Sequence, residues 1–282
     1  MITKQHPRDG RQHRLQELPL NASSTRGDMP IRPGVEVCSL TDVGCQRQNN
    51  EDSFSYWEPE SDEQFRLKGR LAIVADGMGG YEGGQEASRL AVDTVLEVYE
   101  AGSVEGPQAI LLESLRTAHE RIRAFADTHP EFTGMGTTCT AVAIHDKLLY
   151  FAHVGDSRLY LVRGPRIDRL TTDHSYVGRL VAAGMISPEE AETHPQRHIL
   201  TAALGAGSEV TPEGPDLPVP LEAGDRLLLC TDGLWSLISE EELHDTLSDQ
   251  SVSDACGTLV SLARDRGGPD NITLQVLHID GV

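Results

Sequence analysis

LAIVADGMGGYEGG, Leu71 to Gly84, is an apolar run that stops at Asp76 and gives way to glycine at positions 77, 79, 80, 83 and 84. A short apolar run bounded by breakers reads as a buried strand. Glycine-dense backbone after it can bend sharply and let a ligand come close to the main chain. The reading places one carboxylate at the mouth of a core strand beside exposed carbonyls, which suits a hard cation bound by oxygens. The alternative on this stretch alone is an aspartate that caps a following helix.

Working outward, the same signature recurs. LLYFAHV (148–154) ends in Gly155-Asp156, DRLLLC (225–230) in Thr231-Asp232-Gly233, and Pro269-Asp270-Asn271 leads into a last strand at Ile272, Leu274 and Val276. Glu51-Asp52 supplies a further acidic point between a polar turn and Tyr56-Trp57, where Asx-type turn bonds are the competing explanation. TTCTAVAIH (137–145), the 148–154 run and RLYLV (158–162) are joined by turns so short that they must pair antiparallel. Ala87, Leu90, Ala91, Val95 and Val98 share one helical face, as do Leu111, Leu115, Ala118, Ile122 and Phe125, predicting two packed helices over 85–100 and 109–125. His119 is expected at the surface or boundary of the second. Ser187-Pro188 starts a helix, Ser239 to Glu242 is a capping box, and another helix covers about 253–266. The polar segment 171–204, rich in histidine, has the character of a substrate-facing flap. His194 and His198 stand four apart, but Pro195 between them argues against a helical metal pair.

The chain has 282 residues, 38% hydrophobic and 24% charged, enough for one large domain or two small ones. No apolar run approaches a membrane span and the N-terminus has no secretory apolar core. Residues 1–33, with six basic and three acidic residues, read as a disordered basic tail; the rest carries −23 of a net −20. So acidic a body repels nucleic acid and favours cations. Five cysteines without a CxxC pair indicate a reducing compartment with neither a disulfide framework nor a zinc cluster.

Aspartates at strand ends on one side of a sheet can converge, and converging carboxylates repel unless cations neutralise them. All-oxygen donors select Mg²⁺ or Mn²⁺, and two such ions support in-line displacement at phosphorus. The Gly77 carbonyl is a further donor. Arg47, just before the acidic pair, is the candidate fork for a phosphate, although an arginine there is by itself unremarkable. No P-loop, dinucleotide fingerprint, serine elbow or cysteine phosphate loop is present.

R-QNN-ED (47–52), ADGMGG (75–80), GMGTT (134–138), VGDSRLY (154–160), CTDGL (230–234) and GPDN (268–271) stand in the order found in metal-dependent serine/threonine protein phosphatases, the type 2C or PPM family. The resemblance is strongest to its bacterial branch, covers about Val35 to Ile279, and extends to the HPQR segment at 194–197. It implies an α+β, four-layer α-β-β-α sandwich of two mainly antiparallel sheets flanked by helix pairs, with a catalytic domain over 34–282 and a flap at about 172–204. It further implies that Asp76 bridges two metals, with Gly77 on the first and Asp232 and Asp270 on the second. Asp156, with Asp232, matches a third-metal site. Glu51 and Asp52 would orient waters and Arg47 would bind phosphate. The implied activity is Mn²⁺- or Mg²⁺-dependent hydrolysis of phosphoserine and phosphothreonine on proteins, by a cytoplasmic monomer opposing a serine/threonine kinase. Met78 departs from many eukaryotic relatives, which place a proton-donating histidine there. Two rivals are an inactive scaffold, which should have lost a metal carboxylate, and a phosphatase of small phosphoesters.

Overall fold

A computed structural model describes residues 32–79, 82–102 and 106–281. The basic tail expected over 1–33 lies outside them except for Arg32 and Pro33, as do Gly80 and Tyr81. Arg32 is anchored: its backbone N–H donates to Glu58 at 2.6 Å and its side chain pairs with Asp62 at 2.5 Å.

The strands are β1 (Val35–Asp42), β2 (Asp52–Trp57), β3 (Arg70–Met78), β4 (Gly136–Thr137), β5 (Cys139–His145), β6 (Leu148–Val154), β7 (Arg158–Arg163), β8 (Arg166–Arg169), β9 (Val219–Pro220), β10 (Arg226–Cys230) and β11 (Ile272–Ile279). The helices are α1 (Asp62–Lys68), α2 (Gly83–Ala101), α3 (Pro107–Thr128), α4 (Tyr176–Ala182), α5 (Pro188–Glu192), α6 (Asp232–Trp235), α7 (Glu240–Asp249) and α8 (Val252–Asp265). One sheet runs β1-β11-β10-β7-β8 and the other β2-β3-β5-β6-β9, with β4 beside β3. Their pairings are antiparallel.

Alternation along the apolar strands builds the layers. Leu71, Ile73 and Ala75 of β3 pack outward on Ala87, Ala91 and Val95 of α2 and on Leu111, Leu115 and Ile122 of α3. Ala72 and Val74 face inward, onto Leu227, Leu229, Leu277 and Ile279 of the other sheet. That sheet in turn presents Leu228, Cys230, Leu274 and Val276 to Leu243, Leu247, Val252 and Leu259 of α7 and α8. The result is the expected α-β-β-α sandwich. Each large apolar side chain buried in it contributes about 1.5–3 kcal/mol. The parity has a consequence for the cleft: Asp76 shares the inward side of β3 with Ala72 and Val74.

Local chemistry sets the boundaries. The hairpin between β5 and β6 turns at Asp146 and Lys147, both with positive φ (49° and 63°), the twist a two-residue hairpin needs. Lys68 closes the end of α2 by donating to the carbonyls of Tyr99, Glu100 and Gly102. Capping boxes form at Ser187–Glu190 and Ser239–Glu242. The α2 stripe is rotated from the predicted one: Tyr99 is buried, edge-on to Trp57, while Leu90 and Val98 are half-buried. The sequence reading did not anticipate α1, β8 or β9. It also misplaced His119, which is 3% exposed and accepts a hydrogen bond from the Gly205 N–H at 3.1 Å. Its position four after Leu115 and three before Ile122 puts it on the apolar face of α3.

Segment 172–204 contains α4 and α5. Its two ends are stitched together by a Ser175–Leu200 bridge and by Thr201 N–H donating to the His174 carbonyl at 2.7 Å. The His174 N–H donates to Gly155 at 2.7 Å, fixing this base beside Asp156. No helix among the described residues is long and apolar enough to cross a membrane.

Candidate active site

The register of β2 against β3 sets Asp52 directly opposite Asp76. Directly opposed residues on one face have Cβ atoms about 4.5–5.5 Å apart, where like charges destabilise a sheet. The backbone nevertheless fixes both residues. The Asp76 N–H donates to Thr138 Oγ1 at 2.9 Å, and the Asp76 carbonyl accepts from Thr137 Oγ1 and the Thr138 N–H at 2.8 and 2.9 Å. Thr138 Oγ1 also lies 2.7 Å from Ser157 Oγ, tying the GMGTT and GDS motifs together. Asp52 accepts from Thr231 Oγ1 at 2.9 Å through Oδ2, while its buried Oδ1 has no partner. The Asx turn weighed for this stretch is also present, with the Asp52 N–H on Asn50 Oδ1 at 3.1 Å.

Glycine permits the approach of β2, β3 and α2. A Cβ on Gly77 would lie 2.1 Å from the Gly84 carbonyl oxygen and 2.5 Å from that of Glu51; one on Gly84 would lie 2.8 Å from the Glu51 carboxylate. The glycines at 77 and 84 thus make room for Glu51 at the mouth of the cleft. From the other sheet, Asp232 follows β10 in the first turn of the short α6, with Thr231 before it. Strand-edge placement and a helix start therefore coincide at Asp232, two roles the sequence reading had set against each other. Its charge opposes that of Asp76 across the cleft. Asp270, just before β11, accepts from Arg47 Nη2 at 2.8 Å, and the Arg47 side chain remains 51% exposed. Asp156, 5% exposed, follows β6, and its carbonyl accepts from Trp235 Nε1 at 2.9 Å. Arg158 stacks 3.6 Å over the Trp235 ring and holds Asp173 with two hydrogen bonds of 2.7 and 3.0 Å, joining the Asp156 turn to the base of segment 172–204.

The fold gathers Glu51, Asp52, Asp76, Asp156, Asp232 and Asp270 at one end of the sandwich, with Arg47 at the rim. It does not unite His194 and His198. His194 packs by Tyr176, with ring centroids 6.3 Å apart, whereas His198 Nδ1 reaches 3.9 Å from Asp232 Oδ2. Asn271 was quoted within a motif but given no role. It donates through Nδ2 to the Val43 and Asn49 carbonyls at 3.0 Å and accepts the Glu51 N–H at 2.8 Å. One amide thus braces, at three points, the β1–β2 loop that carries Arg47 and Glu51.

Residues 46–261 match the family described as Protein phosphatase 2C. The chain belongs to the protein phosphatase 2C family. It is 38% identical over 251 residues to protein phosphatase PhpP of Streptococcus pneumoniae, spanning 87% of this chain and 98% of that one. The crystal structure of the Mycobacterium tuberculosis serine/threonine phosphatase PstP/Ppp superposes with a TM-score of 0.78 at 35% identity, covering 88% of this chain and 100% of that one. A structure of the PstP catalytic domain in complex with two manganese ions superposes with a TM-score of 0.75 at 33% identity, over 88% and 99% of the two chains.

In this phosphatase 2C chain the electrostatics of the cleft are those of an acidic cluster short of positive charge. Burial, then the charges of Asp52, Asp232, Asp156 and Asp270, raise the Asp76 pKa well above the carboxylate range. Burial raises Asp52 to about 7, opposed by hydroxyls of Thr273 and Thr231 and reinforced by Asp232 and Asp270. Burial and Asp270 raise Asp232 to about 6, against Arg47. Burial, with Asp232 and Asp173, raises Asp156 well above its usual value, and burial raises Glu51. Oxygen donors with an orphaned carboxylate oxygen among them fit hard divalent cations. Among the described residues, the one trio of candidate ligand atoms drawn within 4.8 Å of one another is elsewhere, at Glu36, His278 and Asp280. The cleft donors are spread wider than that.

Proposed function

We propose that this chain hydrolyses phosphoserine and phosphothreonine on proteins with the help of Mn²⁺ or Mg²⁺ held by Asp76, the Gly77 carbonyl, Asp232 and Asp270, with Asp156 and Asp232 offering a third, weaker position. The observation that supports this most is the opposition of Asp52 and Asp76 beneath Asp232, an arrangement that is repulsive without a cation. Cations of this class held there would supply an acidified water and charge neutralisation for displacement at phosphorus.

The chain's own groups do the rest. Arg47, steadied by Asp270 and half-exposed, offers its guanidinium to two phosphate oxygens. Asp52, with Oδ2 on Thr231 and Oδ1 buried and unpartnered, and Glu51 at the mouth would orient the waters. Met78 donates no proton to the departing serine or threonine oxygen. Segment 172–204 is the flap over which the substrate protein passes. The substrates are phosphoproteins, the opposing activity is a serine/threonine kinase, and the chain works as a monomer. Five free cysteines favour a reducing, cytoplasmic setting.

The deciding experiment measures phosphate release from a phosphothreonine peptide. Release should require Mn²⁺ or Mg²⁺ and vanish in Asp232→Asn; release that persists in EDTA sinks the metal mechanism. Faster turnover of sugar phosphates than of phosphopeptides would instead favour the small-phosphoester reading.

A further inference from the structure

Away from the cleft, two thiols meet in the outer layer. Cys38 lies within β1, the edge strand of its sheet, opposite Val276, and is half-buried against the α7–α8 layer. Cys256 is buried on α8; its Sγ donates to the Cys38 carbonyl at 3.6 Å, and the Cys38 side chain packs against the same apolar cluster. The partners are 218 residues apart in sequence, so only the packing of α8 on β1 brings them together. The remaining cysteines lack such a neighbour: Cys139 and Cys230 are buried within apolar layers, and exposed Cys45 contacts the Arg264 carbonyl at 3.7 Å.

We infer that Cys38 and Cys256 form a reversible intramolecular disulfide on exposure to a peroxide, a modification site that ties the first strand to the last helix. Side chains already in contact across a helix–strand interface need little backbone movement to bond. The two thiols are also inequivalent. The hydrogen bond from Cys256 lowers the Cys38 pKa against the opposing effect of burial, and the same bond, with burial, raises that of Cys256. The more accessible sulfur is therefore the nucleophile, and the buried one resolves. In the first step the Cys38 sulfur attacks a peroxide oxygen; an S–O bond forms, the O–O bond breaks, and one water leaves. In the second, the Cys256 sulfur displaces the hydroxyl from Cys38; an S–S bond forms, the S–O bond breaks, and a second water leaves. Two thiols are oxidised and one peroxide is reduced. The link joins the two elements that run into the cleft loops, since β1 leads to Arg47 and α8 to Asp270, and the Cys45 N–H already binds the Gly268 carbonyl at 2.7 Å.

The test treats the native full-length chain with about one equivalent of hydrogen peroxide, blocks free thiols, and maps peptides without reduction by mass spectrometry. The expected product is the Cys38 peptide joined to the Cys256 peptide, two hydrogens lighter, and separated again by dithiothreitol. In Cys256→Ser the linkage should vanish and dimedone should trap a sulfenic acid at Cys38. The inference is overturned if Cys45 is oxidised while Cys38 and Cys256 both remain open to alkylation, or if the linkage forms only in urea. The wild-type mapping decides even if the serine variant folds poorly.

Discussion

The pair β1 and β11 carries an acidic cluster at each end. At one end Asp270 joins Asp52, Asp76, Asp156 and Asp232; at the other, Glu36 and Asp280 flank His278, whose Nδ1 lies 3.8 and 3.3 Å from their carboxylates. The far cluster is the tighter of the two, yet Glu36 is 60% exposed and Asp280 48%. Water screens such charges, and they need no further partner. In the cleft, Asp52 and Asp156 are buried, Asp76 is half-buried, and the main chains of Asp76 and Glu51 are clamped by Thr137, Thr138 and Asn271. On the proposed reading, enforced repulsion rather than closeness alone distinguishes the cation site.

Replacing one carboxylate at each end is the sharpest way to break that contrast. Asp76→Asn should lower metal-dependent phosphatase activity on the order of 10³-fold. In chelator, however, it should raise the melting temperature, because it removes the charge that four neighbouring aspartates oppose. Calorimetry in EDTA beside steady-state kinetics reads both effects. A fall in both would mean that Asp76 serves mainly as a packing element.

The next effect is pH dependence. Carboxylates whose folded pKa is raised favour the folded state most when protonated, below the unfolded value near 3.8, and that contribution is lost as pH rises through about 6 for Asp232 and about 7 for Asp52. Chelated protein should therefore melt progressively lower between about pH 4 and pH 7, and saturating Mn²⁺ at pH 7 should recover the loss. A chelated melting temperature that rises over this window would show that other groups dominate the linkage.

The aspartates were legible in the sequence because each interrupts an apolar strand, a local pattern that needs no knowledge of the partner strand. Their supports were not. Thr138 and Asn271 act through hydrogen bonds to main-chain groups up to 228 residues away, and Ser157 acts through the Thr138 hydroxyl, and nothing in their immediate neighbours marks that role. The four layers followed from the family resemblance, whereas α1 is seven residues without a buried one and so carries no apolar stripe to read. His119 is the opposite case: the helical spacing contained the answer, and polarity overruled it.

Arg47→Lys should sharpen the comparison at the cleft rim. It keeps the charge that faces Asp270 but loses the planar fork, so KM for a phosphopeptide should rise about tenfold with a smaller change in kcat and an unchanged melting temperature. A fall in kcat alone would point to a role in the chemical step rather than in holding phosphate.

The smallest effect belongs to the far end. Glu36→Gln with Asp280→Asn removes both carboxylates from His278, and the double variant should keep phosphatase activity within about twofold and stability within about 0.5 kcal/mol per substitution. Titrating Mn²⁺ into EDTA-stripped wild type and double variant, with calorimetry as the readout, should give the same number of bound ions. Losing an ion in the variant would mean that a tight, exposed trio holds a cation in solution, and enforced burial would no longer separate the two ends. Equal stoichiometry, together with an ion lost on Asp76→Asn, would assign cation binding to the end where the backbone, through Thr138 and Asn271, denies the carboxylates any other relief.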